Sequence, residues 1–369
     1  MERACADAGH PERLECCIVT GTNGKGSVCA MMSEALRLSG RRVGLLTSPH
    51  IESFNERIQV GGKNIPCSAV SRMATRVRPL AERRGLTYFE AVTLMAFEYF
   101  REQKADYAVL EVGVGGRLDA ANVAPNKLAV ITNVDYDHMD LLGGSLEEIA
   151  AEKSGIIKPG STVVTGEWKP GPFKAIKRAA SRANARLVQA KPLFVFDLGL
   201  DGLYQQQNAS VAFTALRELG VAEETIVKAF KRVRWPGRME RFGRVLIDAA
   251  HNPAGMRALR ESLYEIPAGR VVAVIAAKGD KDYKEMLRAI APAVDEFVVT
   301  QFRGPPGPLP AGRLAAEAGR FAPTEIVKNP VSAVKAALKK TGRNDIVLLT
   351  GSIYLIGQVR KWVREHAGR

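Results

Sequence analysis

Apolar residues occur along the chain in two alternating rhythms. In the first they stand side by side, as in Cys16–Thr20, Arg42–Thr47, Tyr107–Val112 and Leu128–Val134. In the second they return every three or four positions, as Val28, Met31, Met32, Ala35, Leu36 and Leu38 do before Gly40. Side-by-side runs fit strands covered on both faces, the condition of a parallel sheet, and the wider spacing fits the helices that cover it. Ile58-Gln59-Val60 before Gly61-Gly62 reads as a short hairpin. Residues 68 to 78 read as a basic helix that Pro79 breaks or kinks. Thr87-Tyr88-Phe89-Glu90 has the form of a capping box opening a buried helix, and Ser145 to Glu148 opens another. Further strands are predicted at 161 to 166 and 186 to 189, with two helices over 205 to 233.

The rhythm then stops at Arg234-Trp235-Pro236-Gly237 and restarts. Beyond the Pro-Gly pair, strands at 244 to 249, 271 to 276, 297 to 300 and 346 to 350 alternate with helical stretches, and Gly304 to Pro308 reads as a loop. The expectation is an α/β protein in two parts: a mostly parallel sheet domain over residues 1–236 and a smaller α/β domain over residues 237–369. A length of 369 residues agrees, since one core rarely organises that much chain.

A formal charge of +14 admits nucleic acid, an acidic membrane or small anions as partners. The placement of Lys and Arg in short scattered clusters without interleaved aromatics argues against the first two. Five cysteines with no C-x-x-C spacing exclude a zinc ribbon or a disulfide framework, and no apolar run reaches membrane-spanning length. A reducing cytoplasmic location is expected.

The chemistry concentrates where strands end. Gly21-Thr22-Asn23-Gly24-Lys25-Gly26-Ser27 joins the first strand to the first long helix. Its glycines allow a tight turn with N–H groups facing inward, and the helix adds its positive end to the same hollow. That is a phosphate loop. Lys25 supplies a charge for phosphates and Ser27 a hydroxyl for magnesium, although the spacing differs from the common G-x-x-x-x-G-K-[ST] form. Glu111 interrupts an otherwise apolar strand, so it must meet a cation or a metal. Gly113 to Gly116 looks like a dinucleotide fingerprint, but the chain to Pro125 leaves little room for the helix such a motif opens. Asp135, Asp137, His138 and Asp140 follow the next strand. His138 reads as a metal ligand or as a hydrogen-bonded loop residue, and a single histidine there argues against a di-zinc hydrolase. His251, in Asp248-Ala249-Ala250-His251-Asn252-Pro253, again follows a strand, where α/β sheets bind ligands.

Taken together these segments resemble the folylpolyglutamate synthase and dihydrofolate synthase family, a branch of the Mur-type amide ligases. The likeness runs through G-T-N-G-K-G-S at 21 to 27, S-P-H-I-E-S-F-N-E-R-I at 48 to 58, T-Y-F-E at 87 to 90, E-V-G-V-G-G-R-L-D at 111 to 119 and I-T-N-V-D-Y-D-H at 131 to 138. It continues through E-K-S-G-I-I-K-P-G at 152 to 160, W-P-G-R at 235 to 238, D-A-A-H-N-P at 248 to 253 and D-K-D-Y at 280 to 283. The resemblance implies the Mur arrangement, a phosphate-loop domain followed by a Rossmann-like one. It implies ATP and Mg2+, with Gly21 to Ser27 on the phosphates and Ser27, Ser48, Glu111, His138 and Lys153 around the metal, Lys153 as a carbamate. It also implies Asn208, Arg238, Asp248 and His251 on the nucleotide across from the loop, and Thr87, Tyr88, Phe89, Glu90, Leu118, Asp119 and Ala120 near the pterin. Lys25, Lys153 and His251 would be the catalytic residues. The implied reaction couples L-glutamate to a folate through an acyl phosphate, by a monomer without nucleic acid or membrane. The short segment before the first strand favours glutamate-chain extension over dihydrofolate synthesis. A Mur-type ligase acting on another carboxylate, such as a cell-wall precursor, and a nucleotide-binding module without catalysis are the rival readings.

Overall fold

The run Cys16–Thr20 forms β1, and each of its residues is buried on both faces. In the computed structural model, which describes residues 1–304 and 307–367, β1 pairs in parallel with β5 (Tyr107–Glu111) on one side and β6 (Leu128–Ile131) on the other. Val19 stands level with Glu111 and with Val130. The sheet continues through β2 (Val43–Leu46) to the antiparallel hairpin of β3 (Ile58–Val60) and β4 (Lys63–Asn64), and in the other direction through β7 (Thr162–Thr165) to β8 (Arg186–Gln189). Its order is β4-β3-β2-β5-β1-β6-β7-β8. The parallel strands that meet at β1 all finish at one edge, so the segments that follow them are gathered there.

Helices cover this sheet: α1 (Glu2–Asp7), α2 (Lys25–Leu38), α3 (Cys67–Arg84), α4 (Tyr88–Glu102), the short α5 (Met139–Leu142), α6 (Leu146–Lys153), α7 (Pro170–Arg182), α8 (Leu203–Glu218) and α9 (Glu223–Arg232). The capping boxes predicted at Thr87 and Ser145 form, each hydroxyl accepting from the N–H three residues on. Pro79 does not break its helix. α3 runs through it, because Pro79 and the Thr75 carbonyl it leaves without a donor both lie exposed, where water supplies the missing bond.

Contacts divide the chain into two units: Met1–Gly199 with Gln205–Arg234, and Leu200–Tyr204 with Trp235–Arg369. The second unit has a six-stranded sheet in the order β13-β12-β11-β14-β10-β9. Four of its strands, β10 (Val245–Ile247), β11 (Val271–Ile275), β12 (Glu296–Val299) and β14 (Ile346–Thr350), match predicted runs. β9 (Glu240–Phe242), the one antiparallel member, and β13 (Thr324–Ile326) were not foreseen, because three-residue edge strands with polar exposed positions carry no apolar run. Around it lie α10 (Pro253–Tyr264), α11 (Tyr283–Ile290), α12 (Ala311–Ala318), α13 (Pro330–Lys339) and α14 (Ile353–His366). Of the expected Gly304–Pro308 loop, residues 305 and 306 lie outside the described residues.

Packing leaves no room for a side chain at Gly44 in β2, where a Cβ would stand 2.8 Å from two ring carbons of the fully buried Phe100. Gly44→Ala should therefore destabilise the protein by about 1–3 kcal/mol through overpacking. Urea denaturation reads this directly, and Phe100→Leu in the same chain should recover part of the loss. An unmoved midpoint would contradict the packing argument.

Candidate active site

The loop after β1 is shaped by two glycines in the left-handed region, Gly21 (φ 150°) and Gly24 (φ 83°). A Cβ at Gly21 would stand 1.8 Å from Thr132 Oγ1, and one at Gly24 2.1 Å from Asn208 Oδ1. Space as well as dihedral angle therefore demands glycine at both positions. Neighbouring strand ends hold the loop. Thr22 N donates to the Asn133 carbonyl (2.9 Å), Asn23 N to Asn133 Oδ1 (2.9 Å) and Thr132 Oγ1 to the Asn23 carbonyl (2.6 Å). Thr22 Oγ1 both accepts from Asp135 N (2.9 Å) and donates to the Asp135 carbonyl (3.0 Å). Helix α2 begins at Lys25, and its first N–H groups have no acceptor within the helix. Lys25 Nζ folds back onto the carbonyls of Gly21 (3.0 Å) and Thr22 (3.3 Å). Ser27 Oγ is buried with no hydrogen-bond partner.

Next to the loop, Glu111 ends β5 at 4% exposure and accepts from Ser48 N (2.9 Å), the residue that follows the end of β2 by two positions. Lys153, the last residue of α6, is 3% exposed, and among the described residues its Nζ makes no hydrogen bond or ion pair. Burial lowers its pKa to about 7; the charge of Lys25 pushes the same way, while Asp137 and Glu152 oppose. His138 takes a left-handed conformation (φ 51°) at the start of α5, with its N–H on Asp137 Oδ1 (3.0 Å) and its Nε2 3.9 Å from the same oxygen. Among the described residues no three His, Cys, Asp or Glu side chains cluster to hold a metal. Magnesium keeps several waters and needs few protein oxygens, and a buried hydroxyl at Ser27, in the helix after β1, and a buried carboxylate at Glu111, at the end of the adjacent strand β5, fit that demand.

The residues of the expected pterin region divide into two kinds. Tyr88 (62% exposed) and Leu118 (78%) present apolar surface to solvent. Phe89 instead packs against Gly113, where a Cβ would meet its ring at 3.0 Å. Glu90 closes the capping box, accepting from Thr87 N and Oγ1 (2.9 Å each) and lying 3.4 Å from the N-terminal ammonium. Burial tends to raise its pKa, but these bonds outweigh it and hold the carboxyl below its usual range. Asp119 turns inward. Its oxygens accept from Gly113 N (2.9 Å), Val114 N (3.4 Å) and Ala121 N (2.9 Å), and burial still raises its pKa to about 6. Ala120 is buried beside it. Both residues shape the turn that carries Leu118.

In the second unit, Asp248 follows β10 and is buried. Its Oδ2 accepts from Tyr204 Oη (2.5 Å) and Met239 N (3.0 Å), and its Oδ1 from Ala250 N (2.9 Å). Burial raises its pKa, and the charge of Arg238 and these bonds oppose. His251 Nδ1 lies 2.9 Å from the Ala249 carbonyl, so Nδ1 carries the proton. Asn252 caps α10 through Gly255 N (2.7 Å). Arg238 Nη1 donates to the Gly237 carbonyl (3.1 Å). Asn208, expected across from the loop, belongs to the first unit and packs on Gly24 of the loop itself, with Nδ2 on Gln205 Oε1 (2.9 Å).

Two family models match this chain: the Mur ligase middle domain over residues 19–190, and the Mur ligase, glutamate ligase domain over residues 237–353. Those domains, in that order on these two sheets, define an ATP-dependent amide-forming ligase of the Mur type. The dihydrofolate synthase/folylpolyglutamate synthase of Bacillus subtilis is 32% identical, covering 98% of this chain and 93% of its own. The folylpolyglutamate synthase of Mycobacterium tuberculosis, solved with ADP and AMPPCP, superposes with a TM-score of 0.91 at 31% identity, covering 97% of this chain and 93% of that one. The bifunctional folylpolyglutamate synthase/dihydrofolate synthase of Yersinia pestis, solved with AMPPNP and a Mn ion, gives 0.89 at 29% identity, covering 98% and 92%. The chain belongs to the folylpolyglutamate synthase and dihydrofolate synthase family.

The buried amine of Lys153 makes a stability prediction. Its folded pKa lies below the unfolded value, so the cost of burying a charge is fully present below pH 7 and fades as pH rises towards 10.5. In CO2-free buffer, Lys153→Met should be more stable than the parent at pH 7. The gain should shrink towards higher pH by up to ~1.36 kcal/mol per pH unit. Parallel denaturation curves at pH 7 and pH 9.5 measure it, and a gain that does not depend on pH would refute the burial argument.

Proposed function

We propose that this protein uses ATP to couple L-glutamate to the carboxylate of a folate, with magnesium as the metal, as a cytoplasmic monomer that needs neither nucleic acid nor membrane. The observation that carries the reading is the glycine loop, where Lys25 Nζ rests on two loop carbonyls and Ser27 Oγ has no partner. Both are groups that a bound nucleotide phosphate and its metal would satisfy. Four of the five cysteines are free and buried, which suits a reducing compartment.

A carboxylate is a poor electrophile. Its oxygen attacks the γ-phosphorus of ATP, the bond to the bridging oxygen breaks, and ADP leaves an acyl phosphate behind. The amine of glutamate then attacks the acyl carbon, inorganic phosphate departs, the amine gives up a proton and an amide remains. Lys25 and the first N–H groups of α2 face the charge that develops on the transferring phosphoryl group. Asn208, Arg238, Asp248 and His251 orient the nucleotide, and Thr87 to Glu90 with Leu118 to Ala120 form the folate region, Tyr88 and Leu118 supplying its apolar surface. Ser27, Ser48, Glu111, His138 and modified Lys153 would hold the magnesium, which when bound neutralises phosphate charge. An amine titrating near pH 7 is a large fraction neutral at that pH, and a neutral amine adds to CO2, loses a proton and becomes a carbamate. That exchange turns a buried cation into an anionic ligand.

Phosphate release should require ATP, glutamate and a reduced folate together, and release with an unrelated acceptor alone would overturn the substrate assignment. Lys25→Ala should lower turnover about a hundredfold or more while leaving the thermal midpoint near that of the parent. Lys153→Ala should be inactive and regain part of its turnover with short carboxylic acids. No rescue, together with an unmodified mass for Lys153 in native protein, would remove the carbamate from the mechanism.

A further inference from the structure

Arg57 is the last residue of a 3-10 turn, Phe54–Arg57, in the segment between β2 and β3, and only 9% of it is exposed. A guanidinium that deep in a fold is normally answered by a carboxylate, because a buried cation without an anion is costly. Among the described residues none answers it. Its Nε donates to His50 Nδ1 (2.8 Å), and its plane lies over the Tyr88 ring at 5.7 Å from the centroid. A neutral imidazole and an aromatic face are the only side-chain partners among the described residues. The nearest carboxylate in sequence, Glu56, is engaged elsewhere: its oxygens accept from the N–H groups of Ile51 (2.7 Å), Glu52 (2.9 Å) and Ser53 (2.8 Å). Among the described residues the four Nη hydrogens of Arg57 have no partner, and neither Nη atom is among the buried unpartnered atoms.

The two groups that hold Arg57 also fix where it points. His50 follows Ser48, whose N–H is bound to Glu111 beside the phosphate loop. Tyr88 opens α4 and is the exposed aromatic of the folate region. A cation held at Nε and on one face, with its bidentate edge free, is prepared for a planar carboxylate. Resting on the ligase reading above, we infer that Arg57 binds a carboxylate of the folate's own glutamate residue, one that is not being activated, and so makes the enzyme prefer glutamate-bearing folates to the bare pteroate. His50 acts through Arg57 as a positioning residue.

The test uses the full chain and two commercial-type ligands that differ only in the glutamyl group, pteroylglutamate and pteroate, with affinities read by fluorescence quenching. Arg57→Gln should weaken pteroylglutamate about tenfold or more and pteroate little, so that the ratio of the two affinities collapses. Arg57→Lys, which keeps a cation but loses the fork, should fall between. In turnover with tetrahydrofolate, KM should rise while kcat at saturation stays close to the parent's. An equal loss for both ligands, no loss for either, or a fall in kcat at constant KM would overturn the assignment. Should Arg57→Gln not fold, Arg57→Lys decides by the same ratio. A parent enzyme that turns over tetrahydrofolate but shows no such ratio change sinks only this inference, whereas a parent without folate-dependent phosphate release sinks the ligase reading and this one with it.

Discussion

The contact on which the first unit depends is between the Thr132 hydroxyl and the backbone of the glycine loop. Thr132 Oγ1 occupies the place where a side chain on Gly21 would begin, and it donates to the Asn23 carbonyl. This contact is possible only because β1 and β6 are adjacent and parallel, so that the residues following each emerge side by side. Once the loop is held that way, the start of α2 has one available position. Ser27 is then placed by the helix, and Lys25 by the helix together with the two loop carbonyls its Nζ reaches. The same edge receives Glu111 at the end of β5, which flanks β1, and Ser48 after β2, which flanks β5, all in parallel register. A parallel sheet is thus the device that converts residues far apart in sequence into one cluster of polar groups.

Much of this was legible before any coordinates. The doubled rhythm of apolar residues predicted the strands at the centre of both sheets because buried parallel strands must be apolar along their whole length. The glycine loop could be read because its residue types are each required by a separate physical need. What the sequence did not reveal are features whose energetics lie outside local pattern. β9 and β13 are too short to bury a run, and Pro79 read as a break or a kink, whereas the helix continues through it because exposure lets water replace the bond it forfeits. Asn208 offered no local signal at all, since its role against Gly24 is created by packing between α8 and the loop. Nothing local in the sequence showed that Asp119 spends its oxygens on three N–H groups of its own turn.

Buried charge separates the parts of this protein that maintain themselves from the part that waits for something. Glu98 is enclosed by Arg76 and Arg101, and Glu167 accepts from the N–H groups of Val134, Trp168 and Lys169. Glu240 is gripped by Arg360 at 2.7 and 2.6 Å and accepts from Gly237 N as well. Each of these acids is answered from within the chain, as the cost of desolvation requires. Lys153 and Arg57 are not. One has no hydrogen bond or ion pair at Nζ among the described residues, and the other has only a neutral ring nitrogen and an aromatic face.

Orphaned neutral atoms do not discriminate in this way. Asn126 Oδ1 and Ser161 Oγ are buried without partners, as Ser27 Oγ is. A lone hydroxyl therefore says little until a neighbour gives it meaning. Ser27 acquires that meaning from the first turn of α2, where the helix adds N–H groups and partial positive charge to the same hollow. Two uncompensated cations and a helix start, all placed by loops after parallel strands or by helix ends, call for anions of more than one kind. In the proposed reaction phosphate would answer the loop, CO2 would answer the amine of Lys153 by converting it, and a spectator carboxylate would answer Arg57. The first unit is consequently packed as a fold yet electrostatically incomplete, and its incompleteness has the sign that anionic substrates require.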